Sequence, residues 1–248
     1  MLFMLNAIVG TVAACGAASL AGLHTMAPWS QLYGANFQGV APGTKQLALT
    51  YDDGPNDPHT QNLLELLAKQ RAKATFFLIG KYVQQHPEIV RAIVAAGHDV
   101  ANHTWDHPLL IKCSGAETRR QLTETQRAIE DACGVIPTLF RPPFGGRRPG
   151  TFGIARSLGL TPVMWNVTCY DWSAKSNESI EQKARKQIRG GDVVLLHDGG
   201  HLKFGTDRHW TVKATETLLR EYGANGYEFV SVVEMMEPGS QFGPGGSQ

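Results

Sequence analysis

Residues 46–55 read Gln-Leu-Ala-Leu-Thr-Tyr-Asp-Asp-Gly-Pro, a run that passes from apolar to acidic to turn-forming residues. The stretch 46–51 predicts a buried strand, because it is short, largely apolar and followed by turn residues. Asp52 and Asp53 would then stand where the strand ends, with Gly54 and Pro55 turning the chain. Outward from this strand, apolar strands and helical patterns alternate as far as residue 230.

The order of these segments predicts an α/β domain. Strands are predicted at 46–51, 74–79, 99–102, 138–140, 162–166, 192–196 and 227–230, and helices at 58–67, 88–96, 117–132, 151–158, 179–188 and 212–222. Strands that alternate with helices favour a parallel sheet, either doubly wound or closed into a barrel. We expect a single domain over residues 45–236, since one core can serve a chain of this length.

The N-terminal segment carries no charged side chain before Lys45, and residues 2–23 are almost entirely apolar or small. As a helix, this stretch would be about 33 Å long, enough to cross the apolar core of a bilayer. We therefore expect residues 1–24 to be a signal peptide or a membrane anchor, although the usual basic start is missing. A buried helix of the domain is the alternative. Export would make the protein extracytoplasmic, either secreted or anchored in the cell envelope.

Glycine- and proline-rich segments flank the predicted domain. Residues 25–44 contain five glycine or proline residues and predict a linker, while residues 237–248 predict a flexible tail. We expect a chain that begins near Lys45 to be soluble and active, because a linker contributes nothing to a site.

Charge and cysteine content exclude two kinds of site. The formal net charge is +1, with no basic cluster of the kind that binds nucleic acid. The four cysteines lack the C-x-x-C spacing typical of a zinc site. Cys113 and Cys133 lie at the ends of a predicted helix about 27 Å long, so they should not form a disulfide bond. Both are expected to be small buried side chains.

Reactive side chains follow the predicted strands at four points. Asp52, His103, Arg141 and His197 each stand just past the end of a strand. The carboxyl ends of strands in a parallel barrel open on one face, so these residues should converge. His107 lies four residues after His103, and one helical turn could aim both at one ion. Taken singly, each motif is more often a turn, a cap or a surface feature.

Five short motifs follow one another in a fixed order. They are Thr50–Pro55 (TYDDGP), His103–His107 (HTWDH), Arg141–Phe144 (RPPF), Asp171–Trp172 (DW) and Leu195–Asp198 (LLHD). Together they resemble the motifs of the polysaccharide deacetylases, carbohydrate esterase family 4, and residues 74–77 resemble that family's second strand. The resemblance spans residues 45–234 and implies a distorted (β/α) barrel, usually of seven strands.

The resemblance implies a metal site and a catalytic base. By position in the first two motifs, Asp53, His103 and His107 would bind a metal ion. Asp52 would be the catalytic base, and Arg141 would pair with it.

The later motifs are similar to those that supply the acid and the pocket. His197 would be the general acid, with Asp171 as the carboxylate that orients it. The main-chain N–H of Phe144 would help to hold the oxyanion. Trp172 and Leu195 would form walls of the substrate pocket.

Three positions depart from the family's pattern. The family often has Phe where Tyr51 stands, on the side expected to face the barrel, and often has Tyr where Phe144 stands. Thr168 occupies the place where the fourth motif often begins with Asp, which weakens the support for Asp171. His201 is the next candidate for the general acid should His197 not serve.

These motifs predict a metal-dependent hydrolase that removes N-acetyl groups from a polysaccharide containing N-acetylglucosamine, such as chitin oligomers or peptidoglycan. Zinc suits a site of two imidazoles and a carboxylate best, and cobalt, nickel or manganese also accept these ligands. An O-acetyl esterase acting on xylan would need the same groups and is the alternative. A metal-dependent phosphoesterase is less well supported, because the sequence does not clearly show the glycine-rich cradle or the cationic clamp that is usual for such a site. A non-catalytic glycan-binding module would have lost the metal ligands or the general acid, and all of these residues are present.

Overall fold

The strand that begins at Gln46 forms the centre of the sheet in the computed structural model, which describes residues 22–237. β1 (Gln46–Gly54) is buried along its whole length. It pairs in parallel with β2 (Ala74–Leu78) on one side and with β7 (Asp192–His197) on the other. Residues 1–21, most of the predicted signal or anchor segment, and residues 238–248, nearly all of the predicted tail, lie outside the described residues.

Short strands extend the sheet on both sides of β1. They are β3 (Asp99–Asn102), β4 (Leu139–Phe140), β5 (Thr161–Pro162), β6 (Val167–Thr168) and β8 (Glu228–Phe229). Among the described residues the strand order is β5-β4-β3-β2-β1-β7-β6, with parallel neighbours throughout, and β8 pairs with the start of β1. This seven-stranded path with its surrounding helices is the predicted distorted (β/α) barrel, open between β5 and β6.

Helices connect the strands and cover the sheet. They are α1 (His59–Lys69), α2 (Gly80–Gln85), α3 (Pro87–Ala95), α4 (Gly115–Cys133), α5 (Thr151–Arg156), α6 (Asn177–Gln187), α7 (His209–Ala224) and α8 (Val232–Met236). In the range 22–237, none of these helices combines the length and the apolar composition that crossing a membrane requires.

The longest helix, α4, has clear signals at both ends. The Ser114 hydroxyl accepts a hydrogen bond from one of the free N–H groups of the first turn, that of Glu117. Gly134 ends the helix in the left-handed conformation, with φ of 75°. Cys113 and Cys133 lie at opposite ends of this helix as free thiols, which confirms that they do not pair. Both side chains are only partly buried, whereas the sequence had suggested that they would be fully buried.

Alternate side chains of β1 face opposite sides of the sheet. Leu49 and Tyr51 pack in a core shared with the helices, whereas Ala48 belongs to a second core inside the barrel. The expectation that Tyr51 faces the barrel is therefore wrong, and its hydroxyl lies 3.1 Å from the Thr215 hydroxyl on α7. Because the alternation continues, Asp52 points from the inner side of the strand towards the open end.

The single strand predicted at 162–166 is divided into β5 and β6, which form the two ends of the strand path. Between them the main chain turns its carbonyl groups inward. The carbonyl oxygens of Val163 and Met164 accept hydrogen bonds from the Arg141 guanidinium, at 3.4 and 3.1 Å. A buried guanidinium needs such acceptors, and carbonyl groups directed at it cannot continue a strand ladder.

Residues 25–44, predicted as a linker, instead run along the domain. The Phe37 N–H donates to the Pro162 carbonyl at 2.9 Å, and the Val40 N–H donates to the Gly191 carbonyl at 2.8 Å. Residues 37–40 therefore bridge between β5 and the start of β7, across the open side of the sheet. At Gly39, with φ of 135°, a Cβ atom would lie 2.3 Å from the Gly191 carbonyl oxygen. The glycine serves close packing here, which is why its presence misled the sequence interpretation.

Candidate active site

Side chains from four strand ends meet in a cavity of about 440 Å³. The cavity is lined by Asp52, Asp53, His103, His107, Phe144, Gly145, Trp165, Trp172, Leu195, His197, Gly200, His201, Leu202, Thr206 and Arg208. Eight of the ten site residues predicted from the sequence are in this lining, and the other two, Arg141 and Asp171, are buried directly behind it. The predicted convergence of distant strand ends is confirmed.

Three buried ligand-type residues form a candidate metal centre. Ligand atoms of Asp53, His103 and His107 all lie within 4.8 Å of one another. The Nε2 atoms of His103 and His107 are 3.5 and 3.2 Å from Oδ1 of Asp53. That oxygen is buried and has no hydrogen-bond partner among the described residues. An orphaned carboxylate oxygen facing two imidazole nitrogens is the arrangement that a divalent cation would complete.

The protonation of these residues suits a cation. Burial alone would raise the pKa of Asp53, but neighbouring histidines outweigh burial and hold that pKa well below its usual value. Burial lowers the pKa of His107 to about 3, so its ring is neutral. Nδ1 of His103 lies 2.8 Å from the Arg141 carbonyl oxygen, which can only accept. A neutral ring would therefore carry its hydrogen on Nδ1 and leave the Nε2 lone pair for a metal ion.

Left-handed backbone conformations concentrate in the loops around this centre. Five of the six non-glycine residues with positive φ in the range 22–237 belong to these loops: Asp53, Thr104, His107, Phe144 and Tyr170. Each such conformation costs on the order of 1–3 kcal/mol and persists only where the surrounding structure enforces it. The loops thus hold the site in a geometry that the local sequence alone would not choose.

Asp52 is held by an arginine inside the barrel. Nη1 of Arg141 donates to Oδ1 of Asp52 at 2.7 Å and to the Thr50 hydroxyl at 2.8 Å. The guanidinium also lies over the ring of Phe77, 4.0 Å from its centroid. Oδ2 of Asp52 is left on the cavity side, 3.7 Å from Nε2 of His103. The part played by Thr50 could not be recognised from the sequence, because a strand threonine is usually a packing residue.

His197 is paired with a buried carboxylate on the opposite side of the cavity. Its Nδ1–H donates to Oδ1 of Asp171 at 2.8 Å, and Oδ2 of Asp171 accepts from the His197 main-chain N–H and the Thr211 hydroxyl. Burial would lower the pKa of His197, but Asp171 outweighs burial and raises it to about 9. His197 is therefore protonated at neutral pH, although Thr168 replaces the Asp that often begins this motif.

The remaining predicted residues form the walls. Phe144 is half exposed and its ring lies 4.6 Å from that of His107, edge to face. Trp172 stands edge-on to His197 at 5.2 Å. Leu195 is buried in the floor of the cavity. The cavity is therefore apolar around the polar groups that would carry out chemistry.

His201 lies beside the candidate metal centre rather than beside His197. Its ring stacks on that of His107 at 4.5 Å, and its Nδ1 is 3.7 Å from Oδ2 of Asp53. The loop that carries it is anchored where the Tyr82 hydroxyl donates to the Gly200 carbonyl at 3.3 Å. The sequence suggested His201 only as a reserve acid, because a loop position gives no indication of which side chain it will face.

Comparison with known proteins gives a consistent assignment. A family model described as polysaccharide deacetylase matches residues 39–163. A chitooligosaccharide deacetylase of Bradyrhizobium sp. (strain ANU 289) is 39% identical over 197 residues, which cover 77% of this chain and 90% of that protein. The peptidoglycan-N-acetylglucosamine deacetylase PgdA of Listeria monocytogenes serotype 1/2a (strain 10403S) is 35% identical over 204 residues. That match covers 82% of this chain and 41% of PgdA.

A similar solved structure is a CE4 family pseudoenzyme from Bacillus anthracis, with a TM-score of 0.74 and 29% identity over 82% of this chain and 69% of that one. In this chain, residues of all five ordered motifs meet in one cavity. With a relative matched over 90% of its own length, the chain belongs to the polysaccharide deacetylases of carbohydrate esterase family 4.

Proposed function

We propose that this chain is a metal-dependent N-deacetylase that hydrolyses the acetamide groups of a polysaccharide containing N-acetylglucosamine. The observation that carries the proposal is the buried Oδ1 of Asp53, which has no hydrogen-bond partner among the described residues and faces two imidazole nitrogens. Asp52 and the protonated His197 line the same cavity. A pseudoenzyme shares this fold, so the fold alone would not support an activity. The site residues support one, because the cavity offers a candidate for each group that amide hydrolysis needs.

Asp53, His103 and His107 would hold the divalent ion, with zinc best suited to two nitrogen ligands and one oxygen ligand. Bound there, the ion would polarise the acetamide carbonyl and lower the pKa of a water molecule. Cobalt, nickel or manganese would also be accepted by these ligands.

Asp52 is the proposed general base. Its Oδ1 is occupied by Arg141, while Oδ2 faces the cavity beside His103. Oδ2 is thus the atom that would take a proton from the attacking water. The positive charge of Arg141 balances the carboxylate and fixes its orientation, which a base needs in order to act at one point.

His197 is the proposed general acid. Nδ1 is bound to Asp171, so Nε2–H is left to protonate the departing nitrogen. Its raised pKa keeps the proton in place until the carbon–nitrogen bond breaks. The protonated His197 and the Asp52 side chain held by Arg141 would thus divide the roles of acid and base between them.

The walls would orient the sugar. The main-chain N–H of Phe144 is proposed to donate to the oxyanion as it develops. Trp172 and Leu195 would pack against the acetyl group and the apolar face of the ring, because both present carbon surface to the cavity. The names of the relatives, chitooligosaccharide deacetylase and peptidoglycan-N-acetylglucosamine deacetylase, favour an amide over an ester substrate.

A peptidoglycan substrate would lie in the cell envelope, outside the cytoplasm, and we propose that the protein acts there as a secreted or envelope-anchored enzyme. Residues 1–24 would serve as the signal peptide or anchor. Fractionation of cells that express the full chain tests this. The protein should be found in the extracellular or envelope fraction, and the cytoplasmic fraction should contain little of it.

Acetate release from a small panel tests the activity. The full chain should release acetate from chitin oligomers or peptidoglycan and little from acetylxylan. Activity should vanish after complete chelation and return with added zinc. Release from acetylxylan alone would make the protein an O-acetyl esterase, and full activity without any metal would overturn the mechanism.

A further inference from the structure

Arg147 is a fully buried arginine that lies next to the loop carrying Phe144. Its Nη1 donates to the carbonyl oxygen of Gly145 at 3.0 Å. Its Nη2 donates to the carbonyl oxygens of Ala27 and Ser30, at 2.6 and 2.9 Å. One guanidinium therefore joins the loop of the active site to the segment that precedes the barrel.

The segment on the other side is ordered by its own contacts. Ala27 and Ser30 are buried, and the Ser30 carbonyl also accepts from Nδ2 of Asn36 at 2.9 Å. The main-chain N–H of Arg147 donates to the Thr25 carbonyl at 3.1 Å. The segment thus presents three carbonyl groups to one residue, which is a fixed support rather than a passing contact.

The loop needs such a support because of its backbone. Phe144 and Gly145 both have positive φ, at 58° and 69°. For Phe144 this conformation is costly, and it persists only where neighbouring groups enforce it. The carbonyl bound by Arg147 belongs to the Gly145–Gly146 peptide, whose N–H donates to the Pro143 carbonyl at 2.9 Å. That Pro143 carbonyl shares its peptide plane with the Phe144 N–H, so a shift of the bound peptide would be passed on to the Phe144 N–H.

We propose that Arg147 is a positioning residue, which fixes the main-chain N–H of Phe144 by tying the Gly145 carbonyl to residues 27–30. The inference rests on the proposed deacetylase function, in which that N–H faces the oxyanion. It also gives the N-terminal segment a task in catalysis, although none of its side chains lines the cavity.

The test compares full-length variants by three measurements: amide hydrogen exchange of Gly145 and Gly146, zinc affinity, and kcat with KM. The amides of Gly145 and Gly146 close the turn by donating to Pro142 and Pro143, both at 2.9 Å. Arg147→Met removes the three hydrogen bonds at similar volume. We expect faster exchange at both amides, kcat lower by about 10- to 100-fold as for a small misplacement, and unchanged KM and zinc affinity.

Two further variants make the result specific. Arg147→Lys keeps the charge but cannot reach all three carbonyls. Its amide exchange rates and its kcat should therefore lie between those of wild type and Arg147→Met. Arg148→Met is the matched control, because this neighbouring arginine is only half-buried, and it should behave as wild type. Should Arg147→Met not fold, Ala27→Leu displaces the segment while leaving Arg147 intact, and it should raise exchange and lower kcat in the same way.

Unchanged kcat in an otherwise active Arg147→Met or Ala27→Leu enzyme would overturn the proposal. A parallel loss of zinc affinity would also overturn it, since the residue would then support the whole site. Wild-type protein that releases no acetate from any substrate would instead refute the deacetylase function. The exchange data would still test whether Arg147 positions the loop, because they need no turnover.

Discussion

Nη1 of Arg141 lies 2.7 Å from Oδ1 of Asp52, and both side chains are almost inaccessible to solvent. Burial lowers the pKa of the guanidinium, and the nearby Asp52 carboxylate opposes that effect. Because an isolated charge at this depth would be very unfavourable, each partner makes the other tolerable. The pair thus contributes to the stability of the barrel as well as to the catalysis proposed for Asp52.

Arg141→Met should destabilise the protein by about 3–5 kcal/mol, because it leaves the Asp52 carboxylate buried without its partner. Urea unfolding followed by circular dichroism measures the change. The double variant Arg141→Met with Asp52→Leu should recover much of the loss, since no buried charge remains. A single variant as stable as wild type would show that water or another group already compensates Asp52.

The convergence of Asp52, His103, Arg141 and His197 could be predicted because parallel strands of a barrel share one open end. Side-chain identity at a strand end is visible in a sequence. Main-chain acceptors are not, which is why the division of the strand at 162–166 was missed. The same limit explains residues 37–40, whose bridging bonds are made by peptide groups and carry no residue signature.

Asp52 and Asp53 are chemically identical neighbours with different proposed tasks. Asp53→Ala removes a ligand, so zinc affinity and turnover should fall together. Asp52→Asn keeps Asp53, His103 and His107 in place, so zinc should bind while kcat falls by about 10²–10⁴-fold, as for loss of a general base. Metal analysis by mass spectrometry, alongside acetate release, separates the two effects.

His197→Ala is the control for that comparison, since it should retain zinc and still lose turnover. The losses from Asp52→Asn and His197→Ala should not multiply in the double variant, because the two groups act on one reaction. Zinc lost from Asp52→Asn but kept in Asp53→Ala would reverse the assignments. Near-normal turnover in His197→Ala would move the general acid elsewhere, with His201 the next candidate.

Asp171 should set the basic limb of the pH–rate profile. Burial lowers the pKa of His197, but Asp171 outweighs burial and raises that pKa to about 9. The negative charge of Asp53 adds to the rise. A cation bound to Asp53 would cancel that last contribution, so the limb of the metal-loaded enzyme should lie below about 9. Since the acid must be protonated, activity is present below the limb and is lost as pH rises through it.

Asp171→Asn removes the main interaction that favours the protonated ring, so the limb of kcat/KM should move to lower pH. Asp207→Asn is a matched control, because Asp207 is an exposed carboxylate that pairs with His209 outside the cavity. Its profile should match that of wild type. An unmoved limb in Asp171→Asn would mean that His197 is not the group whose deprotonation ends activity.

Deleting residues 1–44 should strongly destabilise the domain, contrary to what the sequence suggested for a chain beginning near Lys45. The deletion removes the acceptors of the buried Arg147 guanidinium at Ala27 and Ser30. It also removes the bridge that residues 37–40 make between β5 and the start of β7 across the open side of the sheet.

Each buried polar group that loses its partner costs about 1–3 kcal/mol, and a domain has only about 5–15 kcal/mol of stability to lose. We therefore expect the 45–248 chain to unfold at much lower urea concentration than the full chain, or to be recovered only as aggregate. Deleting residues 1–21 keeps every contact described for the segment, so that chain should unfold as the full-length protein does. Equal unfolding midpoints for the two truncated chains would show that the segment only lies against the barrel, since its hydrogen bonds would then be replaced by water without loss.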